Sequence, residues 1–270
     1  MEMQTKLSFS VIFDQTRNFI RKRITQFALV SLVIALVSAI IHSSFYAPEM
    51  LEQLYLTQNL DNYFLFLIMT MLINIIIKAM SIAAISNLYV SDKLNLNLLL
   101  SKALSNTLKI ILFYLIVAIS IVLVALMSSL VIVCLSYLLP KALVYIFVIL
   151  MLIVPILFLG IFSNFFFGLL VEPNQKNFFE LLSLALDLST KQWKPALIMI
   201  LIGIALIFAF LKIGMLFDND NIIFNVIFEF GSIFLSIFFT CFFYRLYWLA
   251  TGASSSELSS KNNDEHNLII

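Results

Sequence analysis

Six runs of apolar residues divide this chain, and each is long enough to cross a lipid bilayer. They lie at about Ile24–Ile41, Tyr63–Ser86, Ile110–Tyr137, Ala142–Val171, Pro195–Leu211 and Ile222–Ala250. A spanning helix needs about 20 apolar residues at 1.5 Å of rise each. Runs three and four are separated by little more than Leu139–Pro140–Lys141 and exceed that length, so they should tilt or reach into the headgroups. Charged residues make up only 11% of the chain. A soluble domain carries roughly a quarter, so most of this surface must face lipid. The net charge of +1 gives no reason to expect a nucleic-acid partner.

Lysine and arginine near the span ends set the expected orientation. Lys6, Arg17, Arg21, Lys22 and Arg23 precede the first run; Lys93, Lys102 and Lys109 lie between the second and third. Lys176, Lys191 and Lys194 lie between the fourth and fifth, and Arg245 and Lys261 at the C-terminal end. Against these thirteen stand Lys141 and Lys212, with Lys78 inside the second run. Both termini are therefore expected in the cytoplasm. The loop 43–61, with Glu49, Glu52 and Asp61 but no Lys or Arg, is expected outside. The first two dozen residues are polar and helix-patterned, with no small-residue cleavage site after the apolar run, which argues against a signal peptide.

A short word recurs on the cytoplasmic side: SVIFDQT (Ser10–Thr16), SKALSNT (Ser101–Thr107) and SLALDLST (Ser183–Thr190). Apolar residues around each copy keep helical spacing. They are Phe9, Ile12, Phe13 and Ile20; Leu96, Leu100, Ala103 and Leu104; and Phe178, Leu182, Ala185 and Leu186. A short amphipathic helix flanked by basic residues suits the inner headgroup layer. The expected fold is an all-α membrane protein with six transmembrane helices in three repeated units, each an interfacial helix plus two spans. The units cover about 5–90, 91–175 and 176–250 of one polytopic domain 1–250, followed by a disordered cytoplasmic tail 251–270. Phe13, Leu104 and Leu186 are expected to point into the bundle or the acyl layer. Ser10, Ser101 and Ser183 should flank that face and return a hydrogen bond to the backbone.

SVIFDQTRNFIRKRITQFALVSLVIALVSAIIHSSFYAPE resembles the N-terminus of the YciC family of bacterial inner-membrane proteins. IVP (Ile153–Pro155), GLLVEP, SLALDLSTKQWKPAL and FFYRLYWL (Phe242–Leu249) resemble it too, so the likeness covers roughly residues 5–250. That family in turn resembles the multi-pass domains attached to some glycerophosphodiester phosphodiesterases. There Val-Pro-Gly opens the fourth span; here Ile156 stands in place of the Gly, so no kink that needs glycine carries over. The resemblance implies an inner-membrane location and this topology, and it supplies no mechanism.

Lys78 is the sharpest functional candidate, because an ionisable residue within a span marks a site by default. Asn74 and Ser81, at i−4 and i+3, extend it into a polar stripe. Snorkelling or helix packing is its expected role, and transport the alternative. Glu229 is the natural countercharge, yet the two differ in depth by roughly 12 Å, so a direct pair is not expected. Asn164 and Pro155 interrupt the fourth run, and Pro155 should kink it. Trp193, Tyr244, Tyr247 and Trp248 read as interfacial anchors, with Arg245 snorkelling beside them. Cys134 and Cys241 read as small buried hydrophobes, and His42 and His266 are too far apart in the chain for a pair. No catalytic, cofactor or metal signature emerges. The expected function is non-enzymatic interaction with envelope proteins or lipids in the bacterial inner membrane, and the alternative is a small transporter or channel.

Overall fold

The structure is a computed structural model that describes residues 7–45, 60–91, 93–173, 176–214 and 222–251. Glu49, Glu52, Lys6, Lys261, His266 and the expected tail lie outside these residues. Eight helices and no strands occur among the described residues. They are α1 (Phe9–Lys22), α2 (Ile24–Phe45), α3 (Leu60–Val90), α4 (Leu96–Leu138), α5 (Lys141–Leu169), α6 (Phe178–Lys191), α7 (Trp193–Gly214) and α8 (Ile222–Ala250). Six of them, all but α1 and α6, are long and apolar enough to cross a membrane, so the chain is a multi-pass membrane protein. α8 is the hub: α1, α2, α3, α5 and α7 all pack against it, while α4 packs on α3 and α6 on α5.

The two short helices are amphipathic, as their sequence spacing dictates. α1 buries Ile12, Thr16 and Ile20, one per turn, and α6 buries Leu181, Ala185, Leu188 and Ser189. Each joins its span through a single residue of nearly the same geometry: Arg23 (φ −122°, ψ 26°) and Gln192 (φ −112°, ψ 29°). Pro195 explains the second break, since it cannot donate to the Lys191 carbonyl and its ring would collide there. Nothing comparable follows Arg23. Between α4's opening turns and its span there is no break at all, so the second word runs straight into its span within one 43-residue helix, about 65 Å long. Asn95 starts that helix, its side-chain oxygen accepting from the N–H groups of Asn97 and Leu98. α5 also runs unbroken through Pro155.

The three words share an internal hydrogen bond. Thr16 Oγ1 donates to Ile12 O (2.8 Å), Thr107 Oγ1 to Ala103 O (2.9 Å) and Ser189 Oγ to Ala185 O (2.6 Å). In each case the seventh position bonds back to the third, and the third side chain is buried. The fourth position, expected to face the bundle or the acyl layer, is less covered by protein than the third. Leu104 is 77% and Leu186 41% exposed, while Phe13 is partly buried beside Phe9 and Phe238. Small or branched side chains seat the helices, because a close approach between helices leaves no room for Leu. Ser10, Ser101 and Ser183 are exposed.

Packing is confined to the end of the bundle that holds α1, α6 and the start of α4, called the base below. Beyond it, no residue is buried over 114–138 of α4, 141–160 of α5, 204–214 of α7, 223–232 of α8 or 64–74 of α3. α2 keeps buried positions as far out as Ala39. This thinly covered part beyond the base is called the splayed region below; within it α7 and α8 still touch through Phe210, Phe228 and Gly231. Cys241 is buried in α8, but Cys134 is exposed on the splayed part of α4, which corrects the expectation for it.

Candidate functional site

Lys78 sits in the interior of α3, twelve residues from Val90, or about 18 Å of helix. That is too far for its stem to carry the ammonium out of the bundle. It turns sideways instead: Nζ donates to Ser236 Oγ (2.9 Å) and lies 3.5 Å from Thr240 Oγ1, both on α8. The ring of Phe167 on α5 lies beneath it, its centroid 4.9 Å from Nζ. Ser236 and Thr240 are one turn apart, so both hydroxyls face the same point. Thr240 Oγ1 gives its own proton to the Ser236 carbonyl (2.9 Å), which orients its lone pairs toward the lysine. Of the two expected roles, snorkelling and helix packing, the geometry shows packing, with the side chain shared among three helices.

The other expected members of this site do not join it. Asn74 is exposed and donates to Thr70 O on its own helix (3.0 Å). Asn164 likewise donates to Gly160 O (2.8 Å), one turn from Phe167. Glu229 lies two turns from Ser236 along α8, about 10 Å. Ser81 is buried and bonds back to Ile77 O (2.9 Å). The polar stripe read along α3 thus divides, with Asn74 on an exposed flank and Lys78 and Ser81 turned inward.

A second polar cluster closes the base where α5 ends. Lys102, buried on α4, donates to the carbonyls of Glu172 and Pro173, and Lys109 to that of Lys176 (3.2 Å). Carbonyls just past a helix C-terminus are unsatisfied and carry partial negative charge, so a lysine is an apt cap. Lys176 Nζ meets Glu172 Oε2 (2.8 Å) and Tyr247 OH (2.8 Å), and that hydroxyl meets Glu172 Oε2 (3.1 Å). Burial lowers the Lys176 pKa, but its hydrogen bonds to Glu172 and Tyr247 outweigh this and raise it above 10.5. Such a group stabilises the fold fully below the unfolded value, and the effect is lost as pH rises through the folded one. Glu172→Gln is accordingly expected to lower the unfolding temperature in detergent at pH 7. The gap to the parent should close once pH passes well above 10.5; a gap unchanged there would refute the assignment.

Arg245 differs from expectation. Arg245 is buried, with Nε donating to Gln15 Oε1 (2.7 Å) and the guanidinium 4.5 Å from the Trp248 ring centroid. Tyr244 and Tyr247, at the end of α8, are buried in protein. Tyr89 stacks on Phe19 (4.0 Å, 11°), which ties α1 to the end of α3. Lys102, Glu172, Lys176 and Tyr247 were not singled out from the sequence as a cluster. Their only signal was the Glu-Pro that ends the fourth run. Among the described residues no group of three His, Cys, Asp or Glu could hold a metal ion. No family model matches the chain, and neither a curated protein nor a solved structure does.

Proposed function

We propose that the chain is a YciC-like protein of the bacterial inner membrane, made of three repeated units with both termini cytoplasmic. It acts by binding lipids or envelope proteins rather than by catalysis. The observation that carries this reading is the division of the molecule. At the base, cations are held on protein oxygens and rings; beyond it, apolar side chains are left uncovered by protein. The shared hydroxyl-to-carbonyl bond in the three words supports the repeat. The gathering of lysine and arginine at the base, with Lys141 and Lys212 at the other end, supports the orientation.

Reporter fusions at Glu52, Leu139 and Asn219 should read the outer side, and fusions at Asn97 and Gln175 the inner side. One fusion in the wrong compartment breaks the topology. Lipid and metabolite profiling of a deletion strain tests the activity. A changed lipid profile or a lost envelope complex is expected, whereas build-up of one soluble metabolite would favour a transporter or an enzyme. The transporter reading is kept because of Lys78, a cation in the middle of a span.

A further inference from the structure

We propose that Lys78 anchors the anionic head, carboxylate or phosphate, of a lipid-like amphiphile that enters between the splayed spans. The proposal deepens the lipid-binding reading above and rests on it. A cation within the hydrocarbon layer is costly unless it meets an opposite charge. Lys78 has none: among the described residues no carboxylate comes within 4 Å of its Nζ, and Glu229 is two turns away. Two hydroxyls solvate the ammonium without neutralising it. An ammonium has three donors, and Ser236 Oγ and Thr240 Oγ1 take two of them. The third side faces the Phe167 ring, its centroid 4.9 Å from Nζ, which also leaves the charge unneutralised. Among the described residues Ser236 Oγ only accepts, so an anion beside Nζ would receive a hydrogen bond from its hydroxyl as well as meeting the ammonium.

The place of the site selects the ligand. Lys78 lies three residues inside Ile75, the outermost buried position of α3. Ser236 lies three residues inside Ile233, the outermost buried position of α8. Lys78 is therefore on the floor of the region where α3 and α8 bury nothing farther out among the described residues, with the exposed apolar side chains of Met71 and Leu67 above it on α3. A small hydrated anion would have to shed its water to reach that floor. An amphiphile solves the problem, because its chain replaces lipid along Met71 and Leu67, both exposed and both on the Lys78 face of α3, while its head reaches the ammonium.

The test uses the full chain purified in a neutral detergent. The probes are oleate and oleoyl lysophosphatidate, with oleyl alcohol and inorganic phosphate as comparisons. Saturable binding of at least one anionic probe is expected, weakened about tenfold or more in Lys78→Met and retained in Lys78→Arg, as expected when one partner of a desolvated charge pair is removed. Oleyl alcohol should bind wild type and Lys78→Met alike and weakly, and phosphate should displace neither anionic probe. Equal binding of the anionic probes to wild type and Lys78→Met overturns the proposal, as does failure of both to bind. Displacement by inorganic phosphate overturns it in favour of a free-anion site. Lys78→Met removes a buried charge and fills similar volume, so it should fold. If it does not, Ser236→Ala takes its place, with a severalfold loss expected and unchanged binding fatal. These outcomes leave the reporter fusions and the lipid profile untouched, so the wider reading stands or falls separately.

Discussion

Gly168→Leu should leave no stably folded protein. A Cβ at Gly168 would sit 2.9 Å from the Phe243 carbonyl carbon and 2.9 Å from the Tyr244 nitrogen. Both are backbone atoms within the hub helix, so neither can rotate away. Overpacking of this kind costs about 1–3 kcal/mol for small additions and more when backbone must move, out of a total stability of about 5–15 kcal/mol. Gly168→Ala should already lower the unfolding temperature, and Leu should abolish extraction of a monodisperse species. Gly231 supplies the contrast. There the added Cβ meets the Phe210 ring at 2.7 Å, a side chain that can shift where backbone cannot. Gly231→Ala should be milder than Gly168→Ala, and the reverse order in a melting series would refute the close backbone contact.

Phe166→Ala should be nearly as damaging, by about 3–5 kcal/mol. Phe166 is fully buried, stacked on Phe113 (4.1 Å, 10°), and meets Phe167 and Phe178 edge-on at 6.0 and 5.9 Å. Its removal opens a void where α4, α5 and α6 meet at the base. Phe158, two turns outward on α5, is 40% exposed. Its truncation exchanges protein contact for lipid and should scarcely move the unfolding temperature. Matching losses at the two positions would show that the base is no better packed than the rest.

Hydropathy carried the six spans and their approximate limits, because lipid imposes a requirement on composition that a simple count can meet. α1 and α6 were legible for a related reason: their apolar residues recur at 3.6-residue spacing. The facing of individual residues was less legible. Ala103 and Ala185 turn inward in place of their larger neighbours Leu104 and Leu186, since helix contact in a membrane rewards close approach, and hydropathy ranks Leu above Ala. The continuity of α4 was hidden because SKALSNT carries no breaker such as Pro195 to separate it from its span. Lys78 was found by rule, but its partners come from α5 and α8, some 90 and 160 residues away, and pattern within one run cannot name them. The cluster of Lys102, Glu172, Lys176 and Tyr247 was missed for the same reason: three of its four members had been read only as counts of charge or as anchors.

The splayed half of the bundle has a mechanical consequence. Five of the six spans bury no side chain beyond the base among the described residues, so acyl chains must cover much of their surface there. Drawing the helix ends together would shrink the cross-section in that leaflet alone, so the work involved is lateral pressure times the area expelled. Lipids that press harder in that leaflet would favour closing, and lipids that press less would favour spreading, with the base as a fixed hinge in the opposite leaflet. Through that geometry, the lateral pressure of one leaflet rather than of both would set the cost of closing.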